Sequence, residues 1–188
     1  GGAIDWVASS ATIQDSALTG HNANYGGGIY FGGKAAESRI YNCNFTDNHA
    51  RYKGGAIDCN SSAMYLTNTT FDSNYAQFGA ALCREENAKG GHGDNNTFIN
   101  NHAYISGAAL GWMGSVNITI INYKLINNSA DVSGGAIYVG PDSHNCSIID
   151  CYFDNNYVTN ETQGGSGFTW MWNETTTMEF AIEQYLES

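Results

Sequence analysis

Proline is nearly missing from this chain, with one in 188 residues. A collagen or a polyproline rod needs many more, and the 23 glycines follow no three-residue period. Charge is also scarce. Charged residues are 13% of the sequence, about half the usual share of roughly 25%, which excludes an acidic disordered tail or a charged coiled coil. Only 7 Lys and Arg stand against 18 Asp and Glu, a net charge of −11, so a nucleic-acid partner is excluded. No run of 18 apolar residues occurs, so this segment contains no membrane-spanning helix. The five cysteines, 43, 59, 83, 146 and 151, are an odd number and cannot all be paired within the chain. The sequence opens without Met and without a signal peptide, and reads as a mature fragment or a segment of a longer protein.

What is abundant is repetition. A Gly-Gly/Ala-apolar motif recurs at Gly1-Gly2-Ala3-Ile4, Gly26-Gly27-Gly28-Ile29, Gly54-Gly55-Ala56-Ile57, Gly79-Ala80-Ala81-Leu82, Gly107-Ala108-Ala109-Leu110 and Gly134-Gly135-Ala136-Ile137. Its first glycines are 25, 28, 25, 28 and 27 residues apart. A second motif follows each copy 17–19 residues later, at Leu18, Phe45, Phe71, Phe98, Leu125 and Phe153. Three residues on come His21, Asn48, Asn74, Asn101, Asn128 and Asn156, and two further on Ala23, Ala50, Ala76, Ala103, Ala130 and Val158. Ile13, Ile40, Leu66, Ile120 and Ile148 form another apolar column, broken by Gly93 in the loop-like stretch Ala88–Asp94.

Gly, Asn and Thr disfavour helix interiors, and short apolar runs bounded by Gly and Asn fit brief strands. Each unit therefore holds about three short strands separated by bends. Stacking the units at about 4.8 Å puts each column in register and creates a core that one unit lacks. This predicts an all-β parallel β-helix of about six to seven coils, each 25–30 residues. Asn after the Phe strand suits a left-handed turn, and a stacked amide can bond the amide of the next coil. The glycine pair suits close approach of neighbouring coils. Residues 1–165 are expected to hold the repeats. Residues 166–188 should hold a last partial coil and a short C-terminal cap or joint, because 178, 181, 182, 185 and 186 have helical spacing.

The paired Gly-Gly-Ala-Ile and Phe-x-x-Asn motifs resemble those of chlamydial polymorphic outer-membrane proteins. The phrase Asn42-Cys43-Asn44-Phe45-Thr46-Asp47-Asn48 is closer to adhesin-like surface proteins of methanogenic archaea. The resemblance spans roughly residues 1–165. It implies a right-handed β-helix and an extracellular, adhesive surface role. His21 in place of Asn, and Ala80 and Ala108 in place of Gly, depart from the pattern and bear on the regularity of those turns.

Candidate residues follow from this frame. Nine Asn-x-Ser/Thr sequons are sites for N-glycans on an extracellular rod: Asn44, Asn60, Asn68, Asn95, Asn117, Asn127, Asn145, Asn160 and Asn173. An Asn- and Thr-rich chain also generates sequons by composition. Cys59 and Cys83, on consecutive coils, could form a disulfide, although their offset by one residue could point them to opposite faces. Cys43, Cys146 and Cys151 read as buried apolar fillers. The cysteine and histidine spacings give no zinc site, the histidines read as exposed turn residues, and no cofactor is implied. Thr46, Asp72, Ile99, Ile126 and Asp154, the column after Phe, contain no stack of carboxylates such as polysaccharide lyases and hydrolases use, so a non-enzyme is expected. Tyr25, Tyr52, Tyr75, Tyr104 and Tyr157 could share a contact stripe for a host or neighbouring-cell glycan or protein, or could simply cover the coil below. The leading expectation is an adhesin-like rod. The alternative is a structural subunit that stacks end to end into a fibre or surface layer, and the third is a polysaccharide-active enzyme.

Overall fold

The computed structural model describes residues 1–34, 37–60, 63–86, 88–160, 168–170 and 178–181. Among them every regular element is a strand, and every ladder is parallel. The chain is a parallel β-helix with four sheets rather than three. Sheet A contains Ile4–Ala8, Ile29–Lys34, Ile57–Cys59, Leu82–Arg84, Leu110–Trp112, Ile137–Val139 and Phe168–Trp170. Sheet B contains Ala11–Gln14, Glu37–Tyr41, Ala63–Thr67, Gly91–Asp94, Thr119–Ile121, Cys146–Ile149 and Met178–Ala181. Sheet C runs through Ala17–Thr19, Asn44–Thr46, Thr70–Asp72, Thr97–Ile99, Lys124–Ile126 and Tyr152–Asp154. Sheet D runs through Asn22–Tyr25, His49–Lys53, Tyr75–Phe78, His102–Ser106, Ser129–Ala130 and Tyr157–Val158. The chain visits A, B, C and D in turn, then begins the next coil. Sheet D was hidden in the sequence because its strands follow the Asn column directly.

The apolar columns are in register and line one core. Ile29, Ile57, Leu82, Leu110 and Ile137 pair in sheet A and are buried. In sheet C, Phe45, Phe71 and Phe98 stack nearly parallel with centroids 5.0 and 4.7 Å apart. A separate cluster of Ala50, Ala76, Ala80, Ala103, Ala108 and Ala130 fills the narrow space where sheet D meets sheet A. Ala80 and Ala108, which replace motif glycines, therefore pack as core. Their turns keep inter-coil hydrogen bonds, as Ala81 N donates to Ala108 O at 3.0 Å.

The corners explain the polar repeat residues. After sheet C, the left-handed residues are Gly20, Asp47, Ser73, Asn100, Asn127 and Asn155, each immediately before the ladder position. The expectation that the ladder Asn itself adopts that conformation is thus corrected. Those Asn side chains point inward instead and form a continuous ladder. Asn74 Nδ2 donates to Asn101 Oδ1 at 2.9 Å and to Phe45 O at 3.0 Å, while Asn74 N donates to Asn101 Oδ1 at 3.0 Å. Asn48, Asn101 and Asn128 repeat this pattern. Each amide uses both donor hydrogens, and each but Asn48, which accepts from His21 N alone, accepts twice, so a fully buried polar column is satisfied. At the D-to-A corner the first motif glycine does need its freedom: Gly54 has φ 63° and a Cβ there would lie 2.2 Å from Ile57 O.

Two further expectations change. The stretch read as a loop around Gly93 includes the strand Gly91–Asp94, in register with Leu66 and Ile120. A Cβ on Gly93 would lie 1.8 Å from Tyr123 Oη, so the phenol of the next coil fills the missing side chain's place. At the C-terminus, the helical spacing is not realised over Met178–Ala181, which pairs with Cys146–Ile149 as a strand. Register with the preceding coil overrides a local period of five residues. The remainder of that expected cap lies outside the described residues.

Candidate functional site

Sheet D carries the five tyrosines expected as a stripe. In a strand, alternate side chains face outward; with Ala50, Ala76, Ala103 and Ala130 inward, their neighbours point away from the core, although Ser129 is covered. One outer register column runs Asn22, His49, Tyr75, His102, Ser129 and Tyr157. Tyr75 is 37% and Tyr157 52% exposed. His102 lies between Tyr75 and Tyr104, with centroids 6.3 and 5.1 Å away, the second edge-on. His102 Nδ1 is 2.9 Å from Ser129 Oγ and its Nε2 3.7 Å from Asp131. Towards the other end, Tyr25 and Tyr52 pack at 5.3 Å, and the Arg51 guanidinium lies over the Tyr52 ring at 5.2 Å. The five tyrosines therefore form no single stripe: Tyr75 and Tyr104 flank His102, Tyr157 lies beyond Ser129, and Tyr25 and Tyr52 pack beyond a register shift, with Tyr25 6.5 Å from Tyr30 of sheet A. Tyr52 is half-buried rather than exposed. Tyr65 in sheet B and Tyr152 in sheet C are also exposed but lie off this face.

The sequon asparagines lie mostly at corners. Asn44, Asn68, Asn95, Asn117, Asn127, Asn145 and Asn160 are exposed, Asn60 is half-buried, and Asn173 is outside the described residues. Asn68, Asn95, Asn117, Asn127 and Asn145 have left-handed backbones. That supplies a conformational reason for Asn at these places. Asn95 Nδ2 donates to Asn68 Oδ1 and Asn145 Nδ2 to Asn117 Oδ1, both at 2.6 Å, forming short outer ladders.

No disulfide joins Cys59 to Cys83. Cys59 pairs in register with Arg84, and Cys83 with Asp58, so the one-residue offset turns one sulfur into the core and the other outward. Burial pushes the thiols of Cys43, Cys83 and Cys146 up, and that of Cys151 up to about 11. They remain protonated and poorly nucleophilic at neutral pH. Among the described residues no three metal-ligating side chains cluster. His49 and His92 are exposed, while His21, His102 and His144 are half-buried.

A group that sequence reasoning missed lies on the outer side of sheet A. Asp58 and Glu85, on adjacent coils, come together beside Lys53, whose Nζ donates to Glu85 Oε2 at 2.7 Å. The expectation of no carboxylates stacked on adjacent coils rested on the columns after Phe and does not hold here. The available signal was Lys53 directly before one Gly-Gly motif, Asp58 directly after its Ile, and Glu85 three residues after Leu82 of the next. Asp58 is fully buried, so no polymer chain can reach it.

Comparison with known proteins matches this frame. The Chlamydia polymorphic membrane protein repeat matches residues 42–60 and 124–140, each spanning one Phe/Leu-x-x-Asn motif and the glycine motif that follows it. A probable autotransporter, YfaL, of Escherichia coli (strain K12) is 29% identical over 141 residues, which is 66% of this chain and 11% of that protein. No solved structure matches the chain. Of the two resemblances carried by the motifs, the chlamydial one is supported by these matches. The chain is a parallel β-helix repeat protein similar in sequence to polymorphic membrane protein repeats and to an autotransporter.

Proposed function

We propose that this segment is a non-enzymatic part of an extracellular, cell-surface protein of adhesin-like type, with the outer face of sheet D as its contact face. The observation that carries this reading is the set of exposed rings on one regular sheet, Tyr75, Tyr104 and Tyr157, with the half-buried His102 packed between the first two. Aromatic rings with polar tips on a rigid support bind at low entropic cost, and suit the faces of sugar rings or a protein partner. The similarity to surface-protein repeats and to an autotransporter supports the location. Glycans on Asn68, Asn95, Asn117 and Asn145 would hang from the corners flanking sheet B and leave sheet D clear.

The test is a triple variant, Tyr75→Ser, Tyr104→Ser and Tyr157→Ser, measured for binding to immobilised host-cell glycans and glycoproteins. We expect affinity to fall at least about tenfold, about 1.4 kcal/mol, with an unchanged far-ultraviolet circular dichroism spectrum. Wild-type binding by the triple variant would overturn the assignment of the face.

A further inference from the structure

Asp58 occupies an outward position between Ile57 and Cys59, whose side chains belong to the core. It is nevertheless 0% exposed. Its register neighbours are Tyr30 on one coil and Cys83 on the next. Neither carboxylate oxygen meets a donor. What it faces is another acid, Glu85, two residues beyond its register neighbour Cys83 and so on the same outward side, tied to the Asp58 coil by its backbone N, which donates to Cys59 O at 3.0 Å. Lys53, the last residue of its sheet D strand, bonds Glu85 and makes no ion pair with Asp58. Two carboxylates and one ammonium therefore meet where Asp58 has no water. A buried charge without a partner costs several kcal/mol, on the order of what one mutation uses to unfold a domain. A proton resolves the conflict: protonated, Asp58 becomes an O–H donor to a Glu85 oxygen, and Glu85 keeps its charge for Lys53.

We propose that Asp58 and Glu85 form a proton-binding site in which one shared proton staples two successive coils. The other groups that face it supply no competing proton. Tyr30, whose hydroxyl lies 3.5 Å from Asn60 Nδ2, is pushed up by burial. Cys83 is pushed well up by burial and then by the two acids. Burial opposes the charge on Lys53, but its bond to Glu85 and the attraction of that acid prevail and hold it protonated. Asp5 adds weakly to the rise at Tyr30. Loss of water, and then the charge of Glu85, raise Asp58 well above the ordinary carboxylate range. Its native affinity for the proton thus exceeds its unfolded affinity. The resulting stability is present in acid below the unfolded value of about 3.9. It is lost as pH rises through the pair's native titration.

The experiment is urea unfolding of the wild type, Asp58→Asn and Glu85→Gln between about pH 4 and about pH 8, with carbon-13 carboxyl titration of wild-type Asp58. In the wild type the folded-to-unfolded ratio should fall towards tenfold per pH unit on the approach to the native titration. Asp58→Asn should remove that component, since an amide keeps the donor and carries no charge. Glu85→Gln should shrink it by offering Asp58 a donor. The Asp58 carboxyl resonance should move only well above the ordinary range. A resonance titrating near 4, or the same pH slope in the wild type and Asp58→Asn, would overturn the staple. The resonance is read on the wild type, so a variant that fails to fold does not leave the question open.

Discussion

The side chains that depart from the repeat matter most at the scale of single residues. Arg84 takes the inward position held by Cys59 and Trp112 on neighbouring coils and is only 4% exposed. One guanidinium nitrogen bonds Gly90 O, and Nε has no partner. It lines a cavity of about 10 Å³ with Trp112, Gly93 and Tyr123, at the lower limit for one ordered water. Tyr123, buried, enters the space that Gly93 leaves. Three irregular residues on two coils thus form one packing solution. Restoring the repeat at one of them should fail: Gly93→Val should cost about 1–3 kcal/mol through overpacking. Adding Tyr123→Thr should recover part of that loss, which a double-mutant cycle from urea unfolding would measure. Additive losses would mean that the two positions are not coupled. A second comparison checks the inward and outward assignment. Phe71→Ala, in the middle of the stacked rings, should cost about 3–5 kcal/mol, whereas Tyr75→Ala should cost about 0.5 kcal/mol or less. Equal shifts in thermal unfolding would show the register to be misread.

Among the elements, the Asn ladder joins the coils as firmly as the strands do. Asn101 accepts from Asn74 and donates to Asn128 and to Phe71 O at 2.9 and 3.1 Å. Asn101→Ala would leave the Asn74 donors, Phe71 O and one lone pair of Asn128 without partners in a dry corner. An unsatisfied buried group costs about 1–3 kcal/mol, and the site can relax in part, so a loss of about 3 kcal/mol is expected. Faster amide hydrogen exchange at Asn74 and Asn101 should accompany it, because both coils adjoining the gap lose protection. Exchange changed only at the mutated coil would show that each corner is satisfied on its own. The sequon asparagines belong to the same scale. At Asn68, Asn95, Asn117 and Asn145 the left-handed backbone and the outer amide pair account for Asn without any glycan, so the glycan reading there rests on exposure.

For the whole molecule, stacking gives each residue a partner one coil away, and this sets both what the rod can present and how it fails. Contact chemistry is displayed along the rod axis at strand spacing, as in the sheet D column of Asn22, His49, Tyr75, His102, Ser129 and Tyr157. Instability can also be passed between coils: Asp58 and Glu85 are adjacent only because one coil lies on the next.

The period of the glycine motif, the Ile and Phe columns and the inward amides follow from the sequence alone. Stacking identical units forces equal positions into line, so a repeat in one dimension becomes a ladder in three. The columns Ile29 to Ile137 and Phe45 to Phe98 were legible for that reason. The contact stripe was legible only in part, because the strands of sheet D pair with a register shift at Ala76–Phe78 that separates Tyr25 and Tyr52 from the other column. Tertiary structure alone decided what the repeat does not copy. The fourth sheet, the strand at Met178–Ala181, the Tyr123 ring above Gly93, and the meeting of Lys53, Asp58 and Glu85 are all of this kind. Each depends on which residue of the next coil lies above a given side chain. The motif records its own spacing, and carries no information about which non-motif side chains stacking brings together.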